Sequence, residues 1–478
     1  MNRVSTGSSG LDRAIGGGLP KGSLILISGE PGTGKTTFVL QYAFEHARMG
    51  EKVLYISTSE SIPKIMRFAE NLAFYDKSLV DSGMINFMDF SASKLVDEVE
   101  TVKFGTFIKQ LGRMVEENNI EHVIIDPITL LALVYEKELD FRRNILLLGS
   151  ILDKCGCTTI LTSEIPKGSE LLSRYGFKEF IVDGVFILSR YILDERTVRK
   201  IHLEKLRGTE IKQPNYLITL KDGFKVMEPF KYSRPEKPKK WEPVSDSKTH
   251  FSTGSEELDS ILGGGYRVGG FVLIDVGEGV PPAGYRLFNY LPALNFISQG
   301  RGCEIITVGG ADAEEVRMRM APFVSLEDFN RLVRIVERRM PDKDQNKPYI
   351  VTIEGESLES DREIWLKTRS ELREKTKKPL YFHWGYDVLE YRYPQQDLVE
   401  FTSENVSMVK GHGDLGIAVT KPGLKSTQEL ANMANIHLKI VNIEGSVVFY
   451  GIQPRTELYN VDIDVSRGYP KLKLTPIV

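Results

Sequence analysis

A fourteen-residue segment occurs twice in this chain. Residues 5–18 read STGSSGLDRAIGGG, and residues 252–265, 247 positions on, read STGSEELDSILGGG. Solenoid repeats recur every few tens of residues, so a spacing this long describes two copies of one domain in tandem. Between them, residues 229–243 (PFKYSRPEKPKKWEP) are rich in proline and lysine. Proline removes backbone donors and favours extended chain, which predicts a semi-rigid linker. The expected organisation is a first domain over 1–230, a linker over 231–247 and a second domain over 248–478.

Inside the first copy, short apolar runs at 23–28, 52–57, 122–126, 158–162 and 184–188 alternate with amphipathic stretches at 35–49, 62–71, 104–117 and 144–154. Near-continuous apolar strands separated by helices predict an α/β fold with a mostly parallel, doubly wound sheet. Beyond residue 190 the extended segments around 200–206 and 216–220 predict an antiparallel edge.

Composition narrows the function classes. Hydrophobic residues are 41% and charged residues 27% of 478, enough to bury sizeable cores. Lys plus Arg is 62 against 65 for Asp plus Glu, a net charge of −3, which disfavours wholesale coating of a polyanion. Three cysteines give no disulfide framework, and Cys155-Gly-Cys157 lacks the C-x-x-C redox spacing. Seven histidines are scattered, with no metal-binding motif, so no protein-ligated zinc is expected. No apolar run reaches 18 residues and the start lacks an apolar targeting core, which predicts a cytoplasmic protein with no membrane span.

Gly29-Glu30-Pro31-Gly32-Thr33-Gly34-Lys35-Thr36 is a complete G-x-x-x-x-G-K-[ST], followed by Thr37. It sits between an apolar strand and a helical stretch, the context this phosphate loop needs. Glycines let successive N–H groups converge on phosphate oxygens, and the helix N-terminus adds partial positive charge. Lys35 is placed to reach the β- and γ-phosphates of ATP and Thr36 to ligate Mg²⁺. In NIEHVIIDPIT the apolar strand ends in Asp126, a carboxylate suited to hold Mg²⁺ through water. Glu60, after the strand VLYIS, is either a carboxylate that activates the attacking water or a solvated glutamate at a helix start.

Taken in order, these residues resemble the KaiC-like ATPases of the RecA superfamily. The lead-in R-V-S-T-G-x-x-G-L-D-x-x-I-G-G-G-L-P-x-G-S, the segment RYGFKEF at 174–180 with Asp183 after it, and Glu204-Lys205-Leu206-Arg207-Gly208-Thr209 carry the resemblance. It covers residues 3–230 closely and 250–478 loosely. It implies two tandem RecA-like domains, ATP bound between subunits, and a homo-oligomeric ring, commonly a hexamer. It also implies that Lys205 and Arg207 act on a neighbouring subunit's nucleotide, and that Thr162 and Ser163 lie where a polar residue senses the γ-phosphate. The family's paired glutamates read Ser59-Glu60 here, which implies slow hydrolysis. Sparse glutamine is in keeping with the archaeal thermophiles, and KaiC-like proteins abound in archaea.

The second copy is eroded. The counterpart of the phosphate loop is DVGEGVPPAGYR at 275–286, which keeps Gly277 and Gly279 but has no Gly-Lys-[Ser/Thr]. The counterpart of Asp126 falls at about Trp384, and Arg455 is a candidate relic of the Lys205–Arg207 hairpin. A pseudo-ATPase domain follows, without autokinase activity, that passes the nucleotide state to a protein partner. The expected function is an ATP-binding, slowly hydrolysing regulator. The alternatives are a nucleotide-gated scaffold, by analogy with gas-vesicle regulatory proteins that carry a related loop, and a recombinase-like DNA-binding ATPase, which the net charge disfavours.

Overall fold

A computed structural model describes residues 2–90, 101–129, 138–165, 182–340 and 345–478. The chain divides into two compact units, Met1–Glu228 with Ile477–Val478, and Pro229–Pro476.

In the first unit β1 (Arg3–Val4) and β2 (Leu19–Pro20) form a short ribbon. The main sheet contains β3 (Leu24–Gly29), β4 (Val53–Ser57), β5 (Ile85–Asp89), β6 (His122–Asp126), β7 (Thr158–Glu164), β8 (Gly184–Leu193), β9 (Arg196–Leu206), β10 (Asn215–Thr219) and β11 (Lys225–Val226). Its order is β11-β10-β9-β8-β3-β7-β6-β4-β5. The strands from β8 to β5 are parallel, and β9 to β11 add an antiparallel edge. All six residues of β3 are buried because both faces are covered. Ile25 and Ile27 pack with Phe38 and Tyr42 of the helix Lys35–Arg48, while Leu24 and Leu26 pack with Ile108 and Leu148 on the opposite side. The two-residue period of the strand thus feeds two core layers.

The second unit repeats this plan. β12 (His250–Phe251) and β13 (Tyr266–Arg267) form the ribbon, each 247 residues after its counterpart. The sheet comprises β14 (Gly270–Val276), β15 (Cys303–Ile306), β16 (Val333–Arg338), β17 (Ile350–Ile353), β18 (Tyr381–Gly385), β19 (Leu415–Thr420), β20 (Ile436–Ile443), β21 (Ser446–Gln453), β22 (Leu458–Asp464) and β23 (Lys471–Ile477). Its order, β17-β16-β15-β18-β19-β14-β20-β21-β22-β23, is that of the first sheet with one strand added beyond the parallel edge.

The repeated segment has a structural purpose. Ser5 Oγ and the amide and hydroxyl of Thr6 donate to the Asp12 carboxylate at 2.6, 2.7 and 2.7 Å. Ser252 and Thr253 donate to Asp259 in the same way at 2.5, 2.7 and 2.7 Å. Each aspartate pins the entry ribbon to the first helix of its unit.

The stretch expected as a linker groups with the second unit. Trp241 is buried in that unit's core, and its backbone N–H donates to Phe323 O at 3.0 Å. Asn295 Oδ1 accepts from Val244 N at 2.8 Å. The burial of Trp241, with these hydrogen bonds, holds the proline-rich segment down.

Candidate functional site

The loop from Gly29 to Gly34 joins β3 to the helix Lys35–Arg48. Gly34 has φ 104°, and a Cβ there would stand 2.8 Å from Leu220 Cδ2, so only glycine fits without displacement. Thr33 Oγ1 donates to Glu30 O at 2.8 Å and closes the turn over Pro31 and Gly32. Lys35 folds back, its Nζ donating to Gly29 O at 2.8 Å and Glu30 O at 3.0 Å. Burial lowers the Lys35 pKa, and the charges of Glu164, Asp126 and Glu30 oppose that shift. Thr37 is buried on the first turn of the helix.

Asp126, at the end of β6, is the centre of a converging set. It accepts from Thr36 Oγ1 at 3.0 Å, from Tyr55 OH at 2.6 Å and from Thr162 Oγ1. Burial, reinforced by the Asp126 charge, raises the Tyr55 phenol well above its ordinary value, which keeps it a donor. Ser163 is buried beside Thr162 and accepts from Thr129 Oγ1 at 3.4 Å. Lys35, Thr36, Asp126 and Thr162 are therefore assembled from three separate stretches at the C-terminal ends of β3, β6 and β7. Thr36 and Asp126 present a hydroxyl and a carboxylate, the hard oxygen donors that suit Mg²⁺.

Glu60 follows β4, with Ser57 Oγ donating to its carbonyl at 2.6 Å. Its carboxylate is ion-paired with Lys64 at 2.6 Å, on a side chain 42% exposed.

Lys205 and Arg207 are not brought to this cluster. Residue pairing sets β9 antiparallel to β8, with Leu206 opposite Gly184, and Gly184 lies beside Ile25 near the start of β3. The four residue-to-residue steps from Gly184 to Leu188 alone span about 13 Å before the phosphate loop begins. Lys205 Nζ donates to Val182 O at 2.7 Å and Arg207 to Asp183 at 3.2 Å. Their end of the sheet is the far end from their own loop. The segment 174–180 lies outside the described residues.

Three side chains at the loop escaped the sequence reading besides Tyr55. Arg190 and Arg199, opposite one another on β8 and β9, both approach Gly32, and Arg199 Nε donates to its carbonyl at 3.3 Å. Burial first, and Arg190 second, lower the Arg199 pKa. Glu164 stands beside Gly29 in the β3–β7 register. Their signal lay in strand pairing, which no local motif contains.

The register also locates each counterpart in the second unit. The helix Pro282–Ser298 begins 247 residues after Lys35, so Pro282 occupies the lysine position and Ala283 that of Thr36. Ser57 pairs with Asp126 in β4–β6, and the equivalent position in β18 is Gly385, one residue beyond the expected Trp384. A Cβ on Gly385 would meet Thr307 O at 2.0 Å, which leaves no room for an aspartate. β20 and β21 reproduce the bulge of β8 and β9, with His437 opposite Gln453 as Val185 is opposite Lys205. Gln453 thus stands for Lys205 and Arg455 for Arg207.

Comparisons with known proteins agree with this asymmetry. The KaiC ATPase family model matches residues 4–230, and the model named GvpD basic region 2 matches residues 240–312. In the latter span this chain carries five Lys or Arg against nine Asp or Glu. Protein GvpD2 of Halobacterium salinarum is 26% identical over 482 residues, 96% of this chain and 94% of that protein. The circadian clock oscillator protein KaiC of Thermostichus vulcanus is 29% identical over 268 residues, and that of Picosynechococcus sp. 30% over 269. The chain spans about half the length of these KaiC relatives, 50% and 51%. Among the described residues no helix is long and apolar enough to cross a membrane. Over residues 4–230 the chain is similar to the KaiC-like P-loop ATPases of the RecA superfamily.

Proposed function

We propose that the first domain binds Mg·ATP in the Gly29–Thr37 loop and hydrolyses it slowly, and that its nucleotide state is relayed by the second domain to a protein partner in the cytoplasm. The observation that carries this reading is the convergence of Thr36, Thr162 and Tyr55 on Asp126, whose charge also acts on Lys35. Bound Mg²⁺ would neutralise charge on the phosphates during transfer. Thr36 and Asp126 hold it, Lys35 exchanges its bonds to Gly29 and Glu30 carbonyls for phosphate oxygens, and Thr162 reports the γ-phosphate through Asp126. Because Lys205 and Arg207 lie at the far end of their own sheet, they complete a neighbour's site in a homo-oligomeric ring, of which a hexamer is the family form. The second domain, with Pro282 and Gly385 in place of a lysine and an aspartate, performs no autokinase reaction.

One observation favours a second reading, the nucleotide-gated scaffold. Ser59 replaces a glutamate, and the remaining Glu60 is engaged by Lys64. Recombinase-like DNA binding has no comparable support. Mg²⁺-dependent ATP turnover, measured with mass in solution for wild type, Lys35→Ala and Glu60→Gln, separates the two. Turnover abolished by Glu60→Gln with ATP still bound makes Glu60 the water-activating residue. ATP-driven assembly without turnover supports the scaffold, and unchanged ATP affinity in Lys35→Ala overturns the site itself.

A further inference from the structure

The two units differ in what fills the space between the first long helix and the sheet. In the first unit Tyr42 OH bonds His122 Nδ1 at 2.7 Å, and His46 and His122 both reach Glu51, at 2.5 and 2.9 Å. The ligating atoms of His46, Glu51 and His122 lie within 4.8 Å of one another, and Tyr42, His46 and His122 are all buried there. In the second unit Tyr42 is replaced by Asn289 and His46 by Ala293, at the same 247-residue offset, and a cavity of about 480 Å³ opens there. That volume is within the range of small-molecule sites.

The cavity is built rather than left over. Val39 and Ile124, fully buried apolar residues in the first unit, are replaced by Arg286 and His383, and both of these line the cavity. Arg286 is half-buried and has no hydrogen-bond or ion-pair partner among the described residues. The other charged side chains lining the cavity are Arg234 and Arg319, the latter paired with Glu315, and His383 lines it as a neutral imidazole. The Arg319 pKa is lowered by burial first and by Arg286 second. His383 is pushed down to about 4 by burial, opposed by a backbone hydrogen bond at Ile306, with Arg286 adding to the fall. Asn289 is nine-tenths buried, and its Nδ2 lies 2.6 Å from His383 Nε2 while its Oδ1 has no partner. Whichever way the amide is turned, one of its polar atoms is left over. Leu287, Ile305, Val316, Met320 and Phe323 give the wall an apolar stretch, and Tyr232, Arg234, Thr307 and Glu315 line the rest.

The buried, unpartnered amide oxygen of Asn289 is costly unless something occupies the chamber, and Arg286 sets a guanidinium without a partner at its edge. We propose that this cavity binds a small organic anion, a carboxylate on an apolar body, with the head group on Arg286 and Asn289 and the body against Leu287 and Phe323. A planar guanidinium matches a carboxylate bidentately, and the apolar wall accounts for the body. A nucleoside triphosphate does not suit the chamber, since Pro281 and Pro282 supply no N–H donors on the relic loop. The site stands apart from the nucleotide reading of the first unit.

Calorimetric titration of the full chain with decanoate, decyl phosphate and decan-1-ol tests it. Decanoate is expected to bind once per chain, and decan-1-ol at least about tenfold more weakly, since a hydrogen-bonded charge is lost. Arg286→Gln is expected to weaken decanoate at least about tenfold and, without ligand, to melt at a higher temperature than wild type, because it removes an unpaired charge. Asn289→Leu supplies a second variant with the same direction in both readouts. Preference for decyl phosphate over decanoate, equal binding of decan-1-ol, no decanoate binding below millimolar, or Arg286→Gln melting lower with binding unchanged would each overturn the proposal.

Discussion

Asp126 shows how little of a site is written next to itself in sequence. It takes hydrogen bonds from residues 36, 55 and 162, three strands' worth of chain apart. The phosphate loop was legible because its residues are consecutive, and Asp126 because it ends an apolar strand. Tyr55, Arg190 and Arg199 were not, since each is ordinary in its own strand and gains meaning only through its neighbour in the sheet. Lys35→Ala should lower ATP affinity at least about a hundredfold by removing the loop's charged partner, as read by fluorescent-nucleotide displacement. Tyr55→Phe removes one of three donors to Asp126 and should change ATP affinity less than Lys35→Ala does. In the second unit, fully buried Glu304 is held by Arg369 at 2.7 Å, and Arg369 also contacts Asn405. Arg369→Leu leaves that carboxylate unpaired and should cost about 3–5 kcal/mol in urea denaturation, with much of it recovered when Glu304→Leu is added.

At the scale of elements, four of the five expected strands of the parallel core correspond to observed ones to within a residue or two, while β8 runs five residues past the expected 188 and β5 was not expected. The departures have physical causes. The helix Glu138–Lys154 starts six residues before the expected 144, and β9 starts at Arg196 and not near 200, because its antiparallel pairing with β8 continues past the apolar pattern. The repeated STG…LD segment was legible as a repeat and silent about its purpose. Its two aspartates should be equivalent: Asp12→Ala and Asp259→Ala each strand three donors and should cost about 1–3 kcal/mol by thermal denaturation. Acid sensitivity belongs to the sheets as well. His383 in β18 and His122 in β6 titrate at about 4 when folded, against an ordinary 6.5. The unfolded chain therefore takes up these protons first. Their stabilisation is complete above pH 6.5 and is lost as pH falls towards 4, about 3 kcal/mol for a shift of this size. His383→Phe should flatten that part of the stability–pH curve.

For the whole molecule, the distance of Lys205 and Arg207 from their own loop gives the assembly a test that needs no structure of it. If each site is shared between chains, Lys35→Ala and Arg207→Ala are each inactive alone, and an equal mixture regains roughly a quarter of the sites, those pairing an intact loop with an intact neighbour. No recovery on mixing would place Arg207 outside the reaction. The two-domain plan was readable from one repeated segment. What that segment did not reveal was Gly385. Its α-carbon lies so close to Thr307 O that a side chain at 385 has nowhere to go. Rewriting Pro281, Pro282 and Ala283 as Gly, Lys and Thr would restore the letters of the motif without restoring a place for the carboxylate that must face it. The divergence of the two halves is therefore a one-way step: a single reversion returns nothing, and selection on the second half is left to act on whatever else its altered interior can hold.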